Sequence, residues 1–163
     1  MNRLISIILT AILFATTACT TDSKTSSDTG ELSEMKIKIE IISDQPNGQT
    51  GSGSHTLTAT LADNSSSRAF YELLQKGCIT VAMHDYGNFE KVGSLPATLP
   101  RNDLQITTEP GDIILYQGNQ ITIYYDTNSW NFTRLGKVDG VSQAELKQIL
   151  GKGNVTTVFS VGE

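Results

Sequence analysis

Side chains able to do covalent or acid–base chemistry are few in this 163-residue chain: two cysteines, Cys19 and Cys78, and two histidines, His55 and His84. His84 followed by Asp85 could form a base with an orienting carboxylate, but nothing nucleophilic is placed to complete a triad. The pair reads more simply as a surface histidine at a strand end. Two isolated histidines and one thiol have no metal-ligand spacing, so no metal or cofactor is expected. Glu109 and Asp112 flank Pro110-Gly111 and read as turn residues rather than a carboxylate pair. Cys78 reads as a small buried hydrophobe. No glycine-rich segment resembles a phosphate loop, and Gly51-Ser52-Gly53 reads as a flexible tip. Aromatic side chains are more informative. Tyr116, Tyr124, Tyr125, Trp130 and Phe132 crowd next to Arg134, and Tyr86 and Phe89 lie upstream. Half of such a set fills a core. The rest suits a half-wet groove, because Tyr and Trp combine an apolar body with a polar tip. The candidate groove residues are Tyr86, Phe89, Tyr116, Trp130 and Arg134, with Arg134 as the fixed charge.

Cys19 carries a different chemistry. Arg3 precedes an apolar run, Leu4 to Phe14, that is too short to span a bilayer and fits a signal-peptide core. Small residues, Ala15 to Ala18, lead into Cys19. Thr17-Ala18-Cys19 fits a bacterial lipobox, in which the cysteine sulfur takes the diacylglycerol. Residues 1–18 are therefore expected to be a lipoprotein signal peptide, with acylated Cys19 as the first mature residue. Acylation makes the protein membrane-anchored, each buried methylene contributing about 0.8 kcal/mol. The expected location is the bacterial cell envelope, on a periplasmic or outer-membrane face.

Residues 19–34 are rich in Ser, Thr, Asp and Lys, cannot bury enough surface to fold, and read as a flexible tether. The domain then spans residues 35–163, a common size for a single domain. With Cys19 acylated, Cys78 has no partner for an internal disulfide. The whole chain carries a net charge of −5, and loss of Arg3 with the leader makes the mature chain one unit more negative. That balance argues against nucleic acid or an anionic lipid surface as partner, leaving the lipid anchor as the only membrane contact.

Elements that must position the aromatic set follow from periodicity. Lys36 to Ile41 alternates strictly and predicts a half-buried strand, as does His55 to Leu61; the two form a hairpin around the Ser43–Ser54 loop. Ser65 to Lys76 predicts a helix, capped by Ser65 and stopped at Gly77. Ile79 to Met83 is a strand, and His84 to Pro110 reads as irregular. Asp112–Tyr116 and Gln120–Tyr125 form a hairpin through Gly118-Asn119. Arg134 to Val138 is extended. Ser142 to Leu150 is a helix with a Ser142/Glu145 capping box and a Val141–Leu146 staple. Val155 to Val161 closes the chain, able to pair with the first strand. With no βαβ spacing, the order predicts a mainly β antiparallel barrel or sandwich with two helices packed against it.

Glu109-Pro110-Gly111-Asp112-Ile113, Gly118-Asn119 with its aromatic strand, Trp130 and Thr133 to Val138 occur in an order that resembles the bacterial cyclophilin-like domain family. Asp63-Asn64-Ser65, Asp85-Tyr86-Gly87 and Val92 to Pro96 extend the resemblance over Met35 to Val161. It implies a closed antiparallel eight-stranded β-barrel with two capping helices. Cyclophilins proper are peptidyl-prolyl isomerases using an Arg, a Gln, a His and aromatic residues. Their Phe-His-Arg and Gln-Gly-Gly-Asp strings do not occur here, so the resemblance does not carry the activity across.

Three functions follow as expectations: a non-catalytic module binding a peptide or small ligand, a foldase with weak isomerase activity, and, by family association, an accessory to a flavodoxin-type partner. The lipid anchor is directly testable. Radiolabelled fatty acid should appear on the mature protein, and Cys19→Ser should abolish the label and release the protein in soluble form; label persisting on the variant would sink the anchor assignment.

Overall fold

Strict alternation places Ile37, Ile39 and Ile41 on one face of the first strand, and all three are fully buried in the computed structural model, which describes residues 34–43, 54–150 and 153–162. The leader, Cys19, nearly all of the tether and the tip of the first hairpin lie outside the described residues. In chain order the elements are β1 (Lys36–Ser43), β2 (Ser54–Leu61), α1 (Ser65–Gln75), β3 (Ile79–Tyr86), β4 (Glu90–Ser94), β5 (Leu104–Thr107), β6 (Asp112–Tyr116), β7 (Gln120–Tyr124), β8 (Ser129–Val138), α2 (Gln143–Leu150) and β9 (Val155–Val161).

The strands run β2-β1-β9-β3-β4-β7-β6-β8, and β8 pairs back onto β2, closing an eight-stranded antiparallel barrel. β5 is a ninth strand outside that ring, paired with the first half of β8. The first and last strands pair as their patterns predict, with Ile39 opposite Phe159. The barrel itself closes elsewhere, between Ala59–Leu61 and Gly136–Val138. There the backbones approach so closely that a Cβ on Gly136 would lie 2.4 Å from the Thr60 carbonyl oxygen.

Inward residues of β1, β2, β3, β6, β7, β8 and β9, together with Phe70 and Leu74 of α1 and Leu146 and Leu150 of α2, form one apolar core. The α2 start is as the sequence predicts. The Ser142 amide donates to Glu145 (3.0 Å), the Glu145 amide donates back to the Ser142 hydroxyl (3.3 Å), and Val141 packs against the core. The α1 start differs: its cap is Asn64, whose side chain accepts from the Ser67 amide at 2.9 Å. The Ser65 hydroxyl instead accepts from the Asn102 side-chain Nδ2.

The larger departure lies in residues 84–110. β3 continues to Tyr86, turns through Gly87 and Asn88, both at positive φ, and returns as β4. Gly-Asn between strands is itself a hairpin signal. Glu90-Lys91-Val92-Gly93-Ser94 conceals its strand because charges and a glycine occupy positions where apolar residues are expected, yet its first four residues are buried. Pro110-Gly111 is the expected turn: the Asp112 amide donates to the Glu109 carbonyl, and the Glu109 amide donates to the Asp112 carboxylate. Gly111 has φ +92°, as a type II turn requires. Cys78 corrects the sequence reading; it is exposed just before β3 and is not a core residue.

Two substitutions check this account by urea unfolding. Asn64→Ala should cost about 1 kcal/mol as a lost helix cap. Gly136→Ala should cost at least about 1–3 kcal/mol by overpacking the closure seam. A silent Gly136→Ala would mean that the seam is open.

Candidate functional site

Successive residues of a strand face opposite sides of a sheet, so the register of β3, β4, β7, β6 and β8 fixes which side chains meet outside the barrel. Tyr86 lies opposite Glu90, and Glu90 opposite Tyr124; His84 lies opposite Val92, and Val92 opposite Thr122. Tyr116 pairs with Gln120, and Ile114 with Thr122. All of these project outward. On the same outer face Ile114, Tyr124 and Phe132 form a second apolar cluster, covered by Phe89, Ile106 and Tyr116. Ile106 comes from β5, which is why the extra strand matters to the site.

Above this cluster lies an open groove of about 420 Å³, walled by Tyr86, Tyr116, Tyr124, Trp130 and Phe132, with His84, Gln120 and Asn128 also lining it. Its size is in the usual range for a small-ligand pocket. Tyr86 and Trp130 are each 59% exposed at the groove, among the few large apolar side chains left open to solvent.

The groove's inner wall carries the unusual polar groups. Glu90 is 7% exposed and Thr122 is 2% exposed. Glu90 Oε2 has no hydrogen-bond partner. Burial pushes the Glu90 carboxyl above its ordinary range, against the opposing pull of the Tyr124 and Thr122 side chains beside it. Burial and the neighbouring Glu90 push the Tyr124 hydroxyl upward in turn.

Directly behind, inside the barrel, the adjacent strand positions hold a contrasting group. Lys91 is fully buried, donates to Asp85 (2.8 Å) and to the Gly153 carbonyl (2.7 Å), and sits over the Tyr125 ring. The Tyr125 hydroxyl also donates to Asp85, at 2.6 Å. Burial would raise the Asp85 carboxyl, but Lys91 and Tyr125 together outweigh it and hold it below its ordinary range. This set is a satisfied structural ion pair. Its position also separates Asp85 from His84: neighbours in a strand, they face opposite sides of the sheet and do not form a dyad.

Of the five residues singled out by sequence, Tyr86, Tyr116 and Trp130 line the groove together. Phe89 lies beneath it, its ring parallel to Tyr124 with centroids 6.0 Å apart and its edge toward Tyr86. Arg134 lines a neighbouring depression with Asn64, Arg101, Asn102, Asp103 and Leu104. There its guanidinium donates to the buried Asp112 carboxylate at 2.8 Å, tying β8 to the Pro110-Gly111 turn. Glu90 and Thr122 were not singled out. The sequence signal for Thr122 is its outward parity in the Gln120–Tyr124 strand; for Glu90 there is none until β4 is known to be a strand. Among the described residues, no three His, Cys, Asp or Glu side chains converge as a metal cage.

The cyclophilin-like family model matches residues 51–160, which includes every strand that builds the groove. The solved structure of McbB in complex with tryptophan superposes with a TM-score of 0.49 at 16% identity, over 77% of this chain and 45% of that one. The chain thus spans less than half the length of that protein. No curated protein matches the chain in sequence.

Glu90 gives a pH prediction. A carboxyl that holds its proton more tightly folded than unfolded contributes stability that is complete below its unfolded pKa and is lost as pH rises through the folded value. Glu90→Gln removes that loss and keeps a neutral hydrogen-bonding group beside the Tyr124 and Thr122 hydroxyls. The variant should match wild type near pH 4 and melt at progressively higher temperature than wild type toward neutral pH. Parallel melting profiles for the two proteins would show that Glu90 is solvated.

Proposed function

The chain belongs to the cyclophilin-like family, and from that premise we propose that its domain is a non-catalytic binding module that takes a peptide segment or small ligand in the aromatic groove on the outer face of β3, β4, β7, β6 and β8. The observation that carries this reading is the groove itself, with Tyr86 and Trp130 open at its rim above a buried apolar floor. A soluble surface gains nothing from leaving a Trp and a Tyr together and uncovered, whereas a binding surface uses such rings as anchors. The lipid on Cys19 and the tether place this module at the membrane of the bacterial cell envelope.

Prolyl isomerisation is the competing reading. Its barrier of about 18–20 kcal/mol comes from amide resonance. Lowering it takes a fixed donor aimed at the twisted amide nitrogen beside an apolar proline pocket. The groove offers His84, Gln120 and aromatic rings, but its described lining includes no arginine, and its buried charged side chain is an acid. Arg134 is engaged with Asp112 in the adjoining depression.

Trp130 is the chain's single tryptophan and so a built-in reporter of the groove. Full-length protein in detergent should show a saturable change in Trp130 fluorescence with some members of a panel of short synthetic peptides, weakened by Tyr86→Ala, and no acceleration of an Xaa-Pro peptide in a protease-coupled assay. Isomerase acceleration removed by Arg134→Ala or His84→Ala would promote the foldase, and peptide binding untouched by Tyr86→Ala would move the site elsewhere.

A further inference from the structure

We propose that the groove recognises a guanidinium group, with Glu90 as its counter-ion and the rings of Tyr86, Tyr116 and Trp130 as its stacking walls. The inference rests on the groove being the binding site and names the chemistry of what enters it. Glu90 is a carboxylate more than nine-tenths buried, in a groove whose described lining includes no lysine or arginine to neutralise it. Its Oε2 has no partner, although the Tyr124 and Thr122 hydroxyls stand beside the same carboxyl. Buried polar atoms of native proteins are nearly always paired, and an unpaired acceptor costs its full desolvation. An orphaned carboxylate oxygen on the groove wall calls for a donor delivered from that groove.

The donor is a cation by charge and a planar one by shape. Glu90 is the one Asp, Glu, Lys or Arg in the described lining, and the whole chain is net negative at −5, so its long-range field draws cations in. Aromatic faces attract cations. A guanidinium satisfies both features at once, because its fork of N–H donors reaches more than one acceptor while its flat face stacks on a ring; an ammonium is compact and strongly hydrated and does neither as well. Oε2 is covered rather than solvated in the unliganded groove. A carboxylate torsion is soft and roughly two-fold, so turning it toward an arriving donor has a low cost. The competing occupant is a single water bridging Glu90 and Thr122, which would satisfy both atoms without any ligand.

The test titrates full-length protein in detergent with N-acetyl-arginine amide, its neutral isostere N-acetyl-citrulline amide, and the peptide acetyl-Gly-Arg-Gly-amide, read by Trp130 fluorescence. The arginine compounds should bind roughly tenfold to a hundredfold more tightly than citrulline, the scale of one hydrogen bond to a charged group. Glu90→Gln should erase that difference, with its melting curve confirming that the variant is folded. Tighter binding of the tripeptide than of the single residue would identify a peptide side chain as the source of the guanidinium, and equal binding a free small molecule. Equal binding of arginine and citrulline to wild type would overturn guanidinium recognition while leaving groove binding intact. No binding of either, with other peptides still bound, would also overturn it and favour the bridging water.

Discussion

Closure of the barrel at the β2–β8 seam is the constraint on which everything else in this molecule depends. Once Ala59–Leu61 pairs with Gly136–Val138 the ring has no free edge, and each strand's inward and outward residues are fixed. Gly136 permits the approach because a side chain there would meet the Thr60 carbonyl oxygen. With the ring closed, alternation alone sends Ile113, Leu115, Ile121 and Ile123 to the core and Tyr116, Gln120, Thr122 and Tyr124 to the outer face. A one-residue slip in β7 would exchange these sets, exposing isoleucines and burying polar groups without partners.

Two acids on adjoining strands, Asp85 half-buried and Glu90 buried, show how differently this frame treats charge. Asp85 faces inward and is answered by Lys91 and Tyr125 at hydrogen-bonding distance. Glu90, in the hairpin strand that follows, faces outward and keeps an oxygen with no partner. Replacing both members of a buried ion pair by apolar residues is often harmless, whereas breaking one is not. The Asp85–Lys91 pair therefore secures the β3–β4 hairpin as a unit. Glu90 gives the fold no comparable return, and a destabilising group retained in a groove is the usual signature of a site where local stability has been sacrificed to function.

β5 is the other element that turns a barrel into a binding surface. A plain eight-stranded ring presents a gently curved outer wall with no depth. By pairing with the first half of β8, β5 brings Ile106 onto the outer apolar cluster and separates two depressions, one floored by aromatics and one lined by Arg101, Asp103 and Arg134. Arg134 falls on the second side, where Asp112 draws its guanidinium toward the turn. Trp130 faces the aromatic groove instead, and Phe132 lies between the two depressions and lines both.

Strong local patterns made much of this legible from the sequence. Alternating isoleucines, the Ser142–Glu145 box, the Pro110-Gly111 turn and the hairpin before Gln120 each specify their structure through neighbouring residues. Three of the groove's five aromatic walls, Tyr86, Tyr116 and Trp130, were also recognisable, since exposed rings clustered near turns have few structural uses. β4 was not legible, because Glu90, Lys91 and Gly93 give no apolar alternation. The cap passed to Asn64 where Ser65 was an equally good candidate by type. Above all, the placing of Glu90 opposite Tyr124 and the diversion of Arg134 to Asp112 join residues more than twenty positions apart across different strands. Local propensity fixes which way a chain turns and which residues alternate. Which acid is answered by a base and which is left facing a groove depends on strand order and register, and those exist only once the barrel has closed.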